Sequence, residues 1–225
     1  MEGAREQLRR DGYALLRGKI SARDCGVVAA AFPATSPRAG GVRNALRSAE
    51  AHAQASVQAL HVLADDLLQR PARAVRAILF DKSPAANWAV TWHRDLMIPV
   101  RERHEVPGYR NWSVKDGVCH VQAPMEILRG MLTLRLHLDD CDARNGALRV
   151  LAGSHDIKQA DAQQAVTTTD EARMITCVAQ AGDVLAMRPC LLHSSCKAER
   201  PSRRRILHIE YAAEELPPPL QWAAA

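Results

Sequence analysis

The tripeptide His93-Arg94-Asp95 has the residue types and the spacing that suit a metal ion. On an extended chain, side chains two residues apart point to the same face, so the imidazole and the carboxylate stand side by side. A third ligand must come from a distant part of the chain, and His193, which follows a predicted strand and turn, is the first choice. The other candidates for this position are His104, His120, His137, His155 and His208.

Two imidazoles and one carboxylate form the facial triad of non-haem Fe(II) sites, which leaves coordination positions open. Those positions suit a 2-oxoacid, which chelates through two of them, and O2, which takes a third. Arg204 follows His193 by eleven residues, at the start of a predicted strand. A guanidinium there suits two hydrogen bonds to the distal carboxylate of 2-oxoglutarate. The sequence leaves open whether Arg203 or Arg205 is the anchor instead.

The first third of the chain is predicted to form a helical layer over residues 1–71. Ser21 is a predicted N-cap with Asp24 at the capping-box position. Residues 42–69 repeat apolar side chains every three or four positions, which predicts a long helix with one apolar face against the core. Pro71 ends that helix. The layer comprises helices over residues 4–10, 21–31 and 42–69, and a short strand over residues 12–16.

Residues 72–215 are predicted to consist of short strands. In residues 131–138 leucines alternate with Thr133, Arg135 and His137, as in a strand with one apolar and one polar face. Turn residues separate further strand candidates at 75–80, 90–93, 146–151, 172–178, 183–187 and 205–211. This pattern indicates a mainly β fold, a double-sheet jelly roll behind the helices. Residues 99–130, rich in charge, are predicted to be a long irregular insertion that forms binding loops.

The length and composition indicate one globular domain over residues 1–225. The net charge is +5, but the basic residues are scattered and only nine residues are aromatic, which argues against nucleic-acid binding. No apolar run approaches the roughly 20 residues of a membrane span, and the first residues lack the pattern of a secretory signal. We therefore expect a cytoplasmic protein with neither a membrane nor a nucleic-acid partner. The sequence gives no prediction of the oligomeric state.

Three motifs resemble those of one family. Trp92-His93-Arg94-Asp95 resembles a W-H-x-D motif, residues 145–155 resemble N-G-x-L-x-V-x-x-G-S-H, and residues 181–185 resemble the G-D segment that precedes a distal histidine. In this order they are similar to the phytanoyl-CoA dioxygenase family of Fe(II)/2-oxoglutarate oxygenases. The resemblance covers roughly residues 75–211 and implies a double-stranded β-helix, the cupin-like form of the jelly roll.

The resemblance also assigns roles to individual residues. It implies that His93, Asp95 and His193 bind iron, and that Arg204 and Ser195 bind 2-oxoglutarate. Asp95 stands where a halogenating relative has alanine or glycine, which favours hydroxylation. Two positions depart from the family pattern: Arg94, often Gln or Ser, and Ile206, which is a hydroxyl residue in some members.

The function implied is hydroxylation of a C–H bond of a small-molecule metabolite. The reaction requires Fe(II), consumes 2-oxoglutarate and O2, and releases succinate and CO2. Gln122 and Trp112, in the predicted insertion, are candidates for substrate contact. Two alternatives stay open: a non-catalytic jelly-roll module that binds a small ligand or metal, and a cupin-like metalloenzyme that uses no oxoacid. The triad together with Arg204 argues against both. A protein that only binds a ligand has no need of open coordination positions, and a metalloenzyme that uses no oxoacid would not need Arg204.

Overall fold

The helices of the N-terminal third lie close to their predicted positions. The computed structural model describes residues 1–31, 41–43, 54–156 and 173–223. The Ser21 hydroxyl accepts a hydrogen bond from the Asp24 backbone N–H, as the capping pattern predicts. The helices are α1 Glu2–Asp11, α2 Ala22–Ala30, α3 Gln54–Leu68 and α4 Met125–Arg129, with a short 3-10 helix at Ala143–Asn145.

The predicted helix over residues 42–69 is wrong at its N-terminal end. Residues 41–43 form a strand that pairs with residues 78–80, so the backbone bonds of this segment go to a sheet edge rather than to a helix. Residues 44–53 of that prediction lie outside the described part of the chain. The helix itself packs as predicted, because Leu60, Ala64 and Leu67 are buried.

The strands of the described residues form three antiparallel sheets. The strands are β1 Tyr13–Leu16, β2 Gly41–Arg43, β3 Arg73–Lys82, β4 Val90–His93, β5 Met97–Val100, β6 Arg110–Lys115, β7 Val118–Gln122, β8 Met131–His137, β9 Leu148–Leu151, β10 Met174–Cys177, β11 Val184–Met187, β12 His193–Ser195 and β13 Arg204–Ala212. A six-stranded sheet has the order β1-β11-β8-β13-β3-β2, a four-stranded sheet has the order β10-β9-β12-β4, and a three-stranded sheet has the order β5-β7-β6.

The six-stranded sheet separates two environments. Its outer face packs against α1, α2 and α3 through one apolar cluster that includes the leucines of β8. Its inner face meets the four-stranded sheet across a pocket lined by side chains of both sheets. The two faces predicted for β8 are therefore correct, although both are buried, because helices cover one and the second sheet covers the other. This is the mainly β jelly roll that the strand pattern predicts.

The segment predicted as an irregular insertion, residues 99–130, is instead an ordered unit. It contributes most of the three-stranded sheet and all of α4. Ile98, Val121 and Leu128 are buried in a second apolar cluster that also takes in Trp222 near the C-terminal end of the described chain. Charged residues concealed this pattern, since they cluster in the connection over residues 101–105, between β5 and β6, whereas β5 and β7 contain none. Within the described residues, no helix is long and apolar enough to cross a membrane.

Candidate active site

The structure brings His93, Asp95 and His193 together. His93 ends β4 and lies directly opposite His193 on β12, and the two ring centroids are 4.1 Å apart. The His93 Nε2 atom is 3.7 Å from Asp95 Oδ1, and His193 Nε2 is 3.6 Å from Asp95 Oδ2. One ligand atom of each residue lies within 4.8 Å of the others, which is the spacing of a shared metal site.

Backbone hydrogen bonds to Nδ1 orient both histidine rings so that each presents its Nε2 atom to the site. The Nδ1 atom of His93 lies 2.8 Å from the carbonyl oxygen of Thr91, and that of His193 lies 2.9 Å from the carbonyl oxygen of Leu191. A carbonyl only accepts, so each Nδ1 carries the proton and each Nε2 keeps a free lone pair. This tautomer is the one that a metal-binding imidazole needs.

Asp95 follows β4 and is fixed by its own backbone and by its neighbour. Its backbone N–H donates to the carbonyl of Pro189 at 2.9 Å. The side chain of Arg94 turns away from the pocket and donates to the carbonyls of Ser154 and Cys190. Arg94 thus joins the end of β4 to the loop that leads into β12. This residue, which departs from the family pattern, therefore has a structural role.

The surroundings of the triad favour an ionised Asp95 carboxylate beside a neutral His193 ring. Burial alone would raise the pKa of Asp95, but His193, His208 and other neighbouring groups outweigh it and lower the pKa below its usual range. Burial lowers the pKa of His193 to about 4, although Asp95 opposes this shift. Both ligands are therefore in their metal-binding protonation states near neutral pH.

The three consecutive arginines point to different places. Arg203 is 54% exposed and pairs with Asp81 at 3.0 Å. Arg205 pairs with Asp139 through two hydrogen bonds. Arg204, only 3% exposed, lines the pocket. Because side chains alternate along β13, the middle arginine faces inward while its neighbours face out, and of the three it is the one that reaches the pocket.

Arg204 lies in a cluster of cationic and hydroxyl groups. Lys82 is directly opposite it on β3, and the Lys82 Nζ atom donates to Ser195 Oγ at 3.2 Å. Burial, followed by repulsion from Arg204, lowers the pKa of Lys82 to about 8. Two like charges on facing strand positions destabilise a sheet unless an anion lies between them. This end of the pocket is therefore suited to a carboxylate.

A second set of charged residues lies nearer the triad. Arg135 on β8 places Nη1 2.9 Å from Nδ1 of His208, and His208 Nε2 lies 3.1 Å from Glu210 Oε1. Glu210 also forms an ion pair with Arg76. Of these residues, sequence reasoning singles out only His208, as a possible metal ligand, and misses Arg76, Lys82 and Glu210. The alternation of side chains along strands could have found them. Glu210 lies an even number of residues from Arg204 on β13, and Arg76 and Lys82 lie opposite these two residues on β3.

The alternative metal ligands are placed elsewhere or are occupied. Asp95, His208 and Glu210 also have ligand atoms within 4.8 Å of one another. However, both nitrogens of His208 are used by Arg135 and Glu210, and Glu210 is neutralised by Arg76. His120 lines the pocket, whereas the remaining candidates stand apart from both groups of ligand atoms: His104, His137 and His155.

The two candidates for substrate contact do not line the pocket. Gln122 is buried on β7 and accepts a hydrogen bond from Asn111 at 2.6 Å. Trp112 packs on the second apolar cluster. The residues of the three-stranded sheet that do line the pocket are Lys115 and His120. The structure therefore brings Lys115 and His120 of this segment to the pocket, rather than Gln122 and Trp112, because the register of the β6–β7 pair is not visible in the sequence.

Fold and site together define a jelly-roll protein with a candidate facial-triad metal centre beside a cationic end of the same pocket. The sequence profile of the family described as Phytanoyl-CoA dioxygenase (PhyH) matches residues 8–206. The chain belongs to this family of Fe(II)- and 2-oxoglutarate-dependent oxygenases, as its motifs indicated. No curated protein matches the chain.

Solved structures share the fold over nearly the whole chain. AviO1 from Streptomyces viridochromogenes Tue57 is 23% identical with a TM-score of 0.68, covering 96% of each chain. The non-haem α-ketoglutarate-dependent carbocyclase SnoK from nogalamycin biosynthesis is 16% identical with a TM-score of 0.69, covering 96% of this chain and 85% of its own. HygX from Streptomyces hygroscopicus, with nickel and 2-oxoglutarate bound, is 14% identical with a TM-score of 0.64, covering 96% and 91%. These similarities confirm the predicted fold.

Proposed function

We propose that this protein is a dioxygenase that hydroxylates a C–H bond of a small-molecule metabolite and releases succinate and CO2. The observation that carries the proposal is the convergence of His93, Asp95 and His193 in the same pocket as the buried Arg204. A facial triad leaves coordination sites open, and a buried cation beside it suits an anionic chelator.

The side chains present fit the metal that the family requires. Asp95 supplies a carboxylate, and His93 and His193 supply the Nε2 lone pairs that their backbone hydrogen bonds leave free. Nitrogen and oxygen donors of this kind suit Fe(II). When bound, Fe(II) and 2-oxoglutarate supply the oxidising chemistry, in which O2 oxidises the oxoacid to succinate and CO2 and delivers one oxygen atom to the substrate.

The cationic end of the pocket fits the distal carboxylate of 2-oxoglutarate. Arg204 has a buried Nε atom without a hydrogen-bond partner, and its Nη1 atom contacts only the Cys141 thiol, at 3.7 Å. We assign this arginine, rather than Arg203 or Arg205, as the anchor. Ser195 is placed to assist it, because its hydroxyl accepts from Lys82 and keeps its own proton to donate.

The rest of the pocket is assigned to the substrate. Trp88, Val90 and Leu148 give it an apolar side, and Lys115 and His120 give it a polar one. The epimerase SnoN in complex with nogalamycin RO and HygX with hygromycin B bound share the fold, and they support a small organic substrate. SnoK is a carbocyclase and SnoN an epimerase, so the reaction outcome is tested by direct product analysis.

The proposal is tested by incubating the Fe(II)-loaded protein with 2-oxoglutarate in air and measuring succinate, with and without a panel of small molecules. We expect succinate that depends on both Fe(II) and 2-oxoglutarate, and a substrate product heavier by one oxygen atom. The Asp95→Ala variant is expected to fall below about one hundredth of wild-type turnover, because loss of a direct ligand exceeds the 10- to 100-fold cost of losing a supporting contact.

A matched control is Glu105→Ala, which removes an exposed carboxylate that pairs with Arg103 and does not line the pocket. It should behave as wild type, and circular dichroism should show both variants folded. Full activity in Asp95→Ala would refute the metal assignment. Binding of a ligand without any succinate would favour the non-catalytic module, and turnover without 2-oxoglutarate would favour the cupin-like alternative.

A further inference from the structure

Arg135 is a buried cation, and no carboxylate in the described part of the chain balances its charge. Only 7% of it is exposed, and it lines the pocket from the inner face of β8. Its hydrogen-bond partner is the neutral ring of His208, its guanidinium lies 5.3 Å from the centroid of the Phe80 ring, and its Nε atom is unpaired. Among the described residues, no carboxylate lies within ion-pair distance of it. A buried guanidinium stays charged and is costly without an anion.

Arg135 lies beside a ring that adjoins one of the candidate metal ligands. A nitrogen of His208, the ring to which Arg135 donates, lies within 4.8 Å of an Asp95 carboxylate oxygen. Arg135 and His208 are directly opposite each other on β8 and β13. Arg204 lies four residues earlier on β13, which is roughly 13 Å along an extended strand. The two backbones therefore lie at different positions along the sheet, while the side chains are near enough that burial, followed by repulsion from Arg204, lowers the pKa of Arg135.

A chain of hydrogen bonds fixes the direction of the Arg135 side chain. His208 Nε2 donates to Glu210 Oε1, and Glu210 is held by the ion pair with Arg76. His208 is thereby held as the tautomer whose Nδ1 lone pair faces Arg135. This contact uses one of the five N–H groups of the guanidinium, so others remain for a ligand in the pocket.

We propose that Arg135 binds the carboxylate of 2-oxoglutarate that adjoins its keto group, so that protein cations hold both ends of the dicarboxylate. The inference rests on the proposed function, because it concerns the same pocket. The distal carboxylate is already supplied with Arg204, Ser195 and Lys82, whereas the chelating carboxylate has Arg135 as the cation on its side. A substrate carboxylate would offer the same chemistry, and the experiment separates the two sources.

The test compares two oxoacids by isothermal titration calorimetry on protein loaded with Ni(II), so that no turnover occurs. 2-Oxopentanoate keeps the oxoacid group of 2-oxoglutarate but lacks the distal carboxylate. We expect Arg135→Gln to weaken the binding of both ligands by at least about tenfold, the loss of a charge-assisted hydrogen bond, with the ratio of the two affinities unchanged. Arg204→Gln should instead weaken only 2-oxoglutarate, so that the ratio falls towards one.

Arg149→Gln is the matched control, since Arg149 is also a strand arginine, 5.4 Å from the centroid of the Trp92 ring, but does not line the pocket. It should bind both oxoacids as wild type does. Circular dichroism reports folding, and if Arg135→Gln does not fold, Arg135→Lys takes its place with a smaller equal loss for both ligands.

The inference is overturned if the folded Arg135 variant binds both oxoacids as wild type does, which would assign the residue to a substrate anion. It is also overturned if the variant loses its preference for 2-oxoglutarate over 2-oxopentanoate, which would place Arg135 at the distal end. Failure of the wild-type protein to bind 2-oxoglutarate at all would instead refute the proposed function.

Discussion

Replacing Arg204 by glutamine should separate the three neighbouring arginines by function. Arg204 is buried in the pocket, whereas Arg203 and Arg205 form ion pairs with Asp81 and Asp139. Removing one partner of a buried charge pair costs about 2–5 kcal/mol. Since about 1.4 kcal/mol is tenfold in affinity, Arg204→Gln should raise the Kd for 2-oxoglutarate by roughly 30- to 4000-fold.

Arg203→Gln is the closest control, because it lies one residue away and removes the same charge. Its guanidinium is mostly exposed and does not line the pocket, although its partner Asp81 is buried. The Kd should therefore stay within about twofold of wild type, a change below about 0.5 kcal/mol. Both values come from calorimetric titration of the Ni(II)-loaded protein with 2-oxoglutarate. A large loss in Arg203→Gln together with none in Arg204→Gln would refute the assignment and the orientation of β13 on which it depends.

Three further perturbations test the charges of the pocket. The pKa of Lys82 is lowered to about 8, so the amine loses its charge as the pH rises through that value. The Kd for 2-oxoglutarate should therefore rise about tenfold from pH 7 to pH 9. A Kd that does not change with pH would show that Lys82 does not bind the carboxylate. Adding 2-oxoglutarate at about 100 times its Kd to the Ni(II)-loaded protein should stabilise it by about 2.7 kcal/mol, or about 5–10 °C in Tm by differential scanning calorimetry, and an unchanged Tm would contradict binding to the folded state. Glu210→Gln should lower the free energy of unfolding in urea by about 3–5 kcal/mol, because it leaves Arg76 buried without its partner; a change below about 1 kcal/mol would show that the pair is solvated.

The local patterns of the sequence were sufficient for the fold class and for most elements. Alternation over residues 131–138 assigned both faces of β8, and the spacing of Ser21 and Asp24 assigned the start of α2. These features are set within a few residues, where the period of side-chain direction determines what is buried. The H-x-D spacing similarly placed two candidate ligands on one side of the chain before any partner strand was known.

Features that depend on strand pairing were accessible only in part. The helical pattern over residues 42–69 extended too far, because residues 41–43 pair with the edge of β3. The sequence predicts irregular loops over residues 99–130, although most of this segment forms a sheet that covers its own apolar side chains. In both places a distant or partly polar strand supplied the hydrogen bonds that the local composition did not suggest.

The sequence by itself determined the chemical groups of the candidate site: two histidines and a carboxylate for a metal, and arginines and a serine for an oxoacid. Only the tertiary structure decided which groups meet. It paired His93 with His193, turned Arg204 inward, and placed Lys82 and Arg135 in one pocket where the described residues offer them no carboxylate partner. Side-chain direction follows a two-residue period along one strand, but the register between strands far apart in the chain is set by packing of the whole core.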